Sequence, residues 1–80
     1  MSEQSYQSKV IKQLEKDGWY VLKLITTNKN GIPDLLALKD GEKPWFKEMK
    51  AVNGVASKLQ KYRIKELNTL GFRAEFDYEK

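Results

Sequence analysis

"GIPDLLALKDGEKPWFKEMK", residues 31–50, decides the fold. Two apolar runs, "DLLALK" (34–39) and "WFKEMK" (45–50), flank the turn "DGEKP" (40–44), which is the pattern of two strands joined by a short connection. Inside this pair stand Asp34, Glu48 and Lys50, at places where a core would take hydrocarbon. Side chains two apart share a face of a strand, so Phe46, Glu48 and Lys50 lie on one face and Trp45, Lys47 and Met49 on the other. Asp34 opens its strand directly after Pro33, which fixes the backbone and offers no amide proton. Pairing across the turn brings Asp34 beside Glu48 and Lys50. Two carboxylates that close raise each other's pKa unless a cation lies between them, and one lysine does not neutralise both. The cluster therefore favours a metal ion or a proton.

On either side of this pair the chain is punctuated by Gly18, Gly54 and Gly71. Ser5 to Asp17 reads as a helix with Val10, Ile11 and Leu14 on one face, stopped by Gly18. "WYVLKLI" (19–25) reads as a strand and "TTNKNGIP" (26–33) as a loop. "AVNGVA" (51–56) is a second loop, Ser57 caps a helix running to Leu70, and "FRAEFDY" (72–78) alternates as a final strand. The order is αβββαβ, an α/β fold with a mixed sheet flanked by helices. Val21, Leu22, Leu24, Leu35, Leu36, Leu38, Phe72 and Phe76 are the expected core. Trp19 and Tyr20 begin a strand and are not assigned to base stacking. Lys58, Lys61 and Lys65 form a stripe facing away from Leu59, Leu67 and Leu70, which reads as a solvated face.

Composition narrows the chemistry. Eighty residues suggest a single domain, 1–80, near the size at which one core can support itself. With neither cysteine nor histidine, thiolate chemistry, His-based zinc sites and His general bases are excluded. Carboxylates remain as side-chain ligands for a hard ion, Mg2+ or Mn2+. No apolar run has membrane-spanning length and "MSEQSYQSK" has no signal-peptide core, so a soluble, cytoplasmic protein is expected, in the host cytoplasm if phage-encoded. The net charge of +4 is compatible with a polyanionic partner.

Pro33-Asp34 and Glu48-Met49-Lys50 resemble the two motif elements of the PD-(D/E)XK nuclease superfamily. An isolated E-x-K arises about once by chance in such a composition, so the weight lies on context. "GIPD" looks like the G-x-P-D entry of the VRR-NUC family. "FKEMKAVNGVASKLQ" resembles that family's strand, glycine loop, serine and helix-borne glutamine, ending at Gln60. The likeness runs from the first helix to the last strand, and is to stand-alone, phage-type minimal domains. It implies a restriction-endonuclease-like core and a metal-dependent DNA endonuclease. By the same resemblance Asp34, Glu48 and the Met49 carbonyl are ligands for Mg2+ or Mn2+. Lys50 orients the nucleophile or stabilises developing charge, and Gln60 supports the attacking side. It further implies a homodimer acting on branched DNA such as Holliday junctions, with Lys47, Trp45 and Met49 as candidates for the dimer surface.

Other positions carry two readings each. Glu3 and Gln7 lie within the apolar stripe of the first helix. Either the helix frays before Ser5, or, as the resemblance implies, Glu3 joins the metal shell and Gln7 supports it. Lys47 stands where the family has an apolar residue, at an open edge or a subunit contact. Arg63 either covers hydrocarbon with its stem or contacts DNA phosphate. Lys29, in the loop next to Asp34, touches the DNA backbone or belongs to a plain surface loop. As alternatives for the whole chain stand a non-catalytic, small basic nucleic-acid-binding module with the same fold and a protein-interaction domain whose acids sit in ordinary salt bridges. Divalent-metal binding through Asp34 and Glu48 separates these from the nuclease.

Overall fold

The strand pair at the centre forms as its alternation requires, and the rest of the chain is arranged on it. The computed structural model describes residues 2–80. It contains α1 (Glu3–Lys16), β1 (Tyr20–Lys23), β2 (Leu35–Leu38), β3 (Trp45–Lys50), α2 (Lys58–Thr69) and β4 (Arg73–Tyr78). The strands lie in the order β1-β2-β3-β4; the first three are antiparallel and β4 runs parallel to β3. Short connections suffice for the antiparallel pairs, whereas the parallel pair needs the crossover that α2 provides. This four-stranded mixed sheet flanked by two helices is consistent with a restriction-endonuclease-like core.

Local chemistry explains the helix limits. Ser2 caps α1, its hydroxyl accepting from the Ser5 amide at 3.1 Å, so the helix begins at Glu3 and does not fray before Ser5. Ser57 caps α2 in a reciprocal box: its hydroxyl accepts from the Gln60 amide at 3.1 Å, and Gln60 Oε1 accepts from the Ser57 amide at 3.0 Å. The first strand is shorter than 19–25, though Leu24 still donates to the Asp34 carbonyl at 2.8 Å.

The register sorts side chains into rows. Leu22, Leu36, Phe46 and Ala74 are cross-strand neighbours on one face; Lys23, Leu35, Lys47 and Glu75 are neighbours on the other. The second face lies under α1, where Tyr6 reaches Asp77 and Trp19 meets Trp45 edge to face at 5.1 Å. The first face carries α2 along β4, with Leu67 and Ala74 buried between them. Leu14, Leu35, Ala37, Met49 and Ala56 complete the buried apolar set. Leu22 and Phe72, expected in the core, are 39% and 37% exposed. Alternation gives the face correctly, but α2 covers only the β4 side of that face and β1 is an edge strand. Leu59 and Leu70 are likewise exposed, so Leu67 is the one buried leucine on α2.

Lys47 lies at neither an open edge nor a subunit contact, because β3 is an inner strand and α1 covers this face. Met49 is fully buried and Trp45 half-buried, so Lys47, Trp45 and Met49 cannot form an exposed dimer surface. Lys47 Nζ pairs with Asp77 Oδ2 at 3.0 Å, stands 3.8 Å from Glu75 Oε2, and lies over the Trp45 ring at 4.1 Å. Tyr6 donates its hydroxyl to Asp77 Oδ1 at 2.5 Å; burial first, and then this bond, push its pKa up to about 12. The network ties α1 to β4. Asp77→Ala strands the Lys47 ammonium and the Tyr6 hydroxyl, and is expected to cost about 3 kcal/mol in urea unfolding. Adding Lys47→Met to it should recover a large part of that loss, since the buried charge left unpaired is then gone.

Candidate metal centre

The paired register of β2 and β3, Leu35 opposite Lys47 and Leu36 opposite Phe46, continues by one residue to set Asp34 opposite Glu48. Both therefore occupy the face that also carries Lys50. Glu48 is 3% exposed and Lys50 is 7% exposed, while Asp34 is half-buried. Lys50 Nζ is 3.7 Å from Glu48 Oε2. Asp34 Oδ2 accepts the Met49 amide proton at 3.0 Å, which fixes the carboxylate against the backbone of β3.

The position of Pro33 follows from the same ladder. Amide and carbonyl of one residue point to the same side of a strand, and successive residues alternate. Lys50 turns its carbonyl to β4, where the Glu79 amide donates to it at 2.9 Å; Met49 therefore turns both its polar groups toward β2. Asp34 takes the Met49 N–H. The paired register ends at Leu35 and Lys47, and Pro33, two residues before it, has no N–H with which to extend the ladder.

Electrostatics at this point are unbalanced. Burial is the main cause that pushes the Glu48 carboxyl up to about 8 from an ordinary 4.5, followed by its hydrogen bond to Asp34 and the charge of Asp34. Lys50 pulls in the opposite direction, and the Glu3 carboxylate adds a smaller push upward. The direction is that of a carboxyl taken out of water and crowded by a second acid, an arrangement relieved by a proton or a cation, so the donor set fits a hard divalent ion. It comprises two carboxylates, with the Met49 carbonyl turned, by strand alternation, to the β2 side of β3. Among the described residues, no three acidic side chains come together as a ready-made metal cage.

The remaining candidates are distributed around this point. Glu3 lies in the first turn of α1, exposed, and acts on Glu48 through its charge. Gln7, one turn further on, is half-buried. Gln60 is half-buried with its Oε1 committed to the Ser57 cap, a signature legible in the spacing S-x-x-Q. Loop 51–56 folds over Lys50: a Cβ at Gly54 would lie 3.2 Å from Lys50 Cδ and 3.2 Å from the Ala51 carbonyl, so only glycine leaves the lysine stem this room. Lys29 is exposed on the loop before Asp34. Arg63 neither projects as a free cation nor merely covers hydrocarbon. Its Nε donates to the Asn30 carbonyl at 2.9 Å and its Nη1 pairs with Glu66 at 3.0 Å, fastening that loop to α2. Neither Gly54 as room for Lys50 nor Arg63 as a loop anchor is apparent from residue spacing, because both depend on contacts with backbone.

Among the described residues no helix is long and apolar enough to cross a membrane. No curated protein and no solved structure matches the chain. The VRR-NUC domain model matches residues 1–77. That match spans nearly the whole sequence, including Pro33-Asp34, Glu48-Met49-Lys50 and Gln60, and the chain accordingly belongs to the VRR-NUC domain family, a family of nuclease domains whose implied substrate is DNA.

Proposed function

We propose that the chain is a divalent-metal-dependent DNA endonuclease of the PD-(D/E)XK type. The observation that carries this reading is Asp34 held against β3 at the end of the β2–β3 pair, beside the buried Glu48 and its neighbour Lys50. Asp34, Glu48 and the Met49 carbonyl are the groups that would hold Mg2+ or Mn2+, with Glu3 nearest to completing the set. When bound, such an ion supplies Lewis-acid activation of the phosphodiester and of water. Lys50, already held beside Glu48, places an ammonium where it can orient the attacking water and offset negative charge gathering on the phosphate. Gln60 keeps the start of α2 in place and offers its amide nitrogen to the attacking side. Gln7 supports the α1 side.

The substrate we favour is branched DNA, cut by a two-fold homodimer. An 80-residue protomer has little core, and a symmetric pair presents two sites to two strands. With the Lys47 face closed by α1, the surface best suited to a second copy is the uncovered half of the other face. There Tyr20 and Leu22 are 66% and 39% exposed beside half-buried Leu36 and Leu38, on the same face as the acids.

Three outcomes test this. Asp34→Asn and Glu48→Gln should keep the circular dichroism of the wild type and lose cleavage with Mg2+ or Mn2+. Lys50→Ala should lose at least about 10²-fold in rate while still binding the ion; wild-type turnover in any of the three removes the assigned site. The second concerns pH. The folded state holds the Glu48 proton up to about pH 8 and the unfolded chain only to about 4.5, so folded protein binds more protons between these values. Without metal, the contribution of Glu48 is complete below pH 4.5 and is lost as pH rises through 8. Thermal unfolding should show this decline in the wild type and not in Glu48→Gln, and Mn2+ should raise the midpoint most at the alkaline end, where it has no proton to displace. The third is assembly. Light scattering should give twice the chain mass and Leu22→Glu a folded monomer, and the wild type should cut a four-way junction at symmetric paired positions. A wild-type monomer that trims linear ends faster than it cuts junctions overturns the dimer reading.

A further inference from the structure

Beside Asp34 lies a cavity of about 330 Å³, bounded by the loop between β1 and β2 through Thr26, Thr27, Lys29, Asn30 and Gly31. We propose that this cavity receives the sugar–phosphate unit flanking the scissile phosphate, with Lys29 as its phosphate contact and Arg63 as the residue that positions the loop. This rests on the nuclease reading above.

Three properties point to that occupant. The first is position: Asp34 is at once a wall of the cavity and half of the acidic pair, so a strand held at the acids continues into this space. The second is chemistry. Thr26, Thr27, Lys29 and Asn30 supply hydroxyl, amide and ammonium groups, Leu24, Ile25 and Ile32 complete the wall, and no aromatic ring is among the lining residues. Stacking of a base needs such a ring, whereas a phosphate and a sugar need hydrogen-bond donors and a cation. The volume, at the lower end of ligand pockets of about 300–1,000 Å³, suits one nucleotide unit better than a base pair.

The third is that the loop is built to keep its shape. Thr27 Oγ1 donates to the Lys29 carbonyl at 2.7 Å and accepts from the Lys29 amide at 3.3 Å, closing a tight turn that sets the direction of Lys29. Arg63 Nε holds the Asn30 carbonyl from α2, and Glu66 fixes the guanidinium in turn. Gly31, at φ +78°, turns the chain back toward Asp34, and a Cβ there would meet Leu59 Cγ at 2.6 Å. A pre-shaped loop is what a binding subsite requires. Arg63 thus serves DNA through Asn30 and not by direct contact.

The test is a coupling measurement on a four-way junction in Ca2+, using wild type and Lys29→Ala. The DNA carries a single neutral methylphosphonate, moved one position at a time along the strand around the cleavage point. For one phosphate next to the scissile one, neutralisation should weaken wild-type binding about tenfold. Lys29→Ala should lose a similar factor on unmodified DNA and show no further loss on that modified strand. Arg63→Lys keeps the charge but not the Nε–H fork, and should reproduce the Lys29→Ala pattern while its Mn2+ affinity stays at the wild-type value. Full additivity of Lys29→Ala and every methylphosphonate overturns the proposal, as does normal coupling in Arg63→Lys for the positioning role. Cleavage of unmodified DNA by the wild type is read in parallel: if it is present and the coupling absent, the subsite alone fails, and if it is absent the nuclease reading fails with it.

Discussion

The hydrogen-bond ladder between β2 and β3 stops at Leu35, two residues after Pro33, and the acidic site is assembled where it stops. A residue with an amide proton at Pro33 could extend the strand. Proline cannot, and the chain bends at Asp34. The Met49 N–H then takes a side-chain oxygen from Asp34 in place of a backbone partner. That bond fixes the Asp34 carboxylate against β3, beside Glu48, just beyond the end of the paired register.

Charge is buried on both faces of β3, with opposite outcomes. Under α1, Lys47 and Arg73 answer Glu75 and Asp77, Tyr6 donates to Asp77, and the Trp45 indole donates to Glu75 at 3.1 Å. That cluster is closed and serves to dock α1. On the other face two carboxylates confront one lysine, the closest charge pair is 3.7 Å, and burial together with Asp34 pushes the Glu48 carboxyl well above the usual carboxylate range. If Asp34 and Glu48 were ordinary salt-bridge partners they would resemble the first cluster. The contrast within one strand argues that the imbalance is a feature of the site and not an incidental effect of burial, since the same sheet satisfies its other acids.

Strand alternation made the central pair, the shared face of Glu48 and Lys50 and the αβββαβ order legible from residues alone. It specified which face each side chain takes. It did not specify which part of a face a helix would cover, and for that reason Leu22, Phe72, Leu59 and Leu70 are exposed where hydrophobicity suggested burial. Lys47 shows the same limit from the other side: its partners Glu75 and Asp77 share its alternation, but they are brought near only by the parallel pairing of β4. Arg63 was out of reach for a different reason. Its partner is the carbonyl of Asn30, and a backbone acceptor leaves no mark on residue type. Gln60 was read only as a motif residue, and the geometry shows it as the fourth position of a capping box with Ser57.

Both helices make their strongest polar contacts with the site's surroundings and not with the acids themselves. α1 is fixed through Tyr6, one turn from Glu3, and α2 through the Ser57–Gln60 cap at its start and through Arg63, which holds the Asn30 loop. The fully or nearly buried apolar side chains include three alanines, so packing alone gives this small chain little reserve. Its polar contacts must then do more than decorate a rigid core. They decide how α1, loop 26–31 and loop 51–56 sit around the unbalanced carboxylates. A ligand that relieves the repulsion between Asp34 and Glu48 would stabilise the same arrangement that holds it, because anything bound only by the folded state shifts the folding equilibrium toward that state.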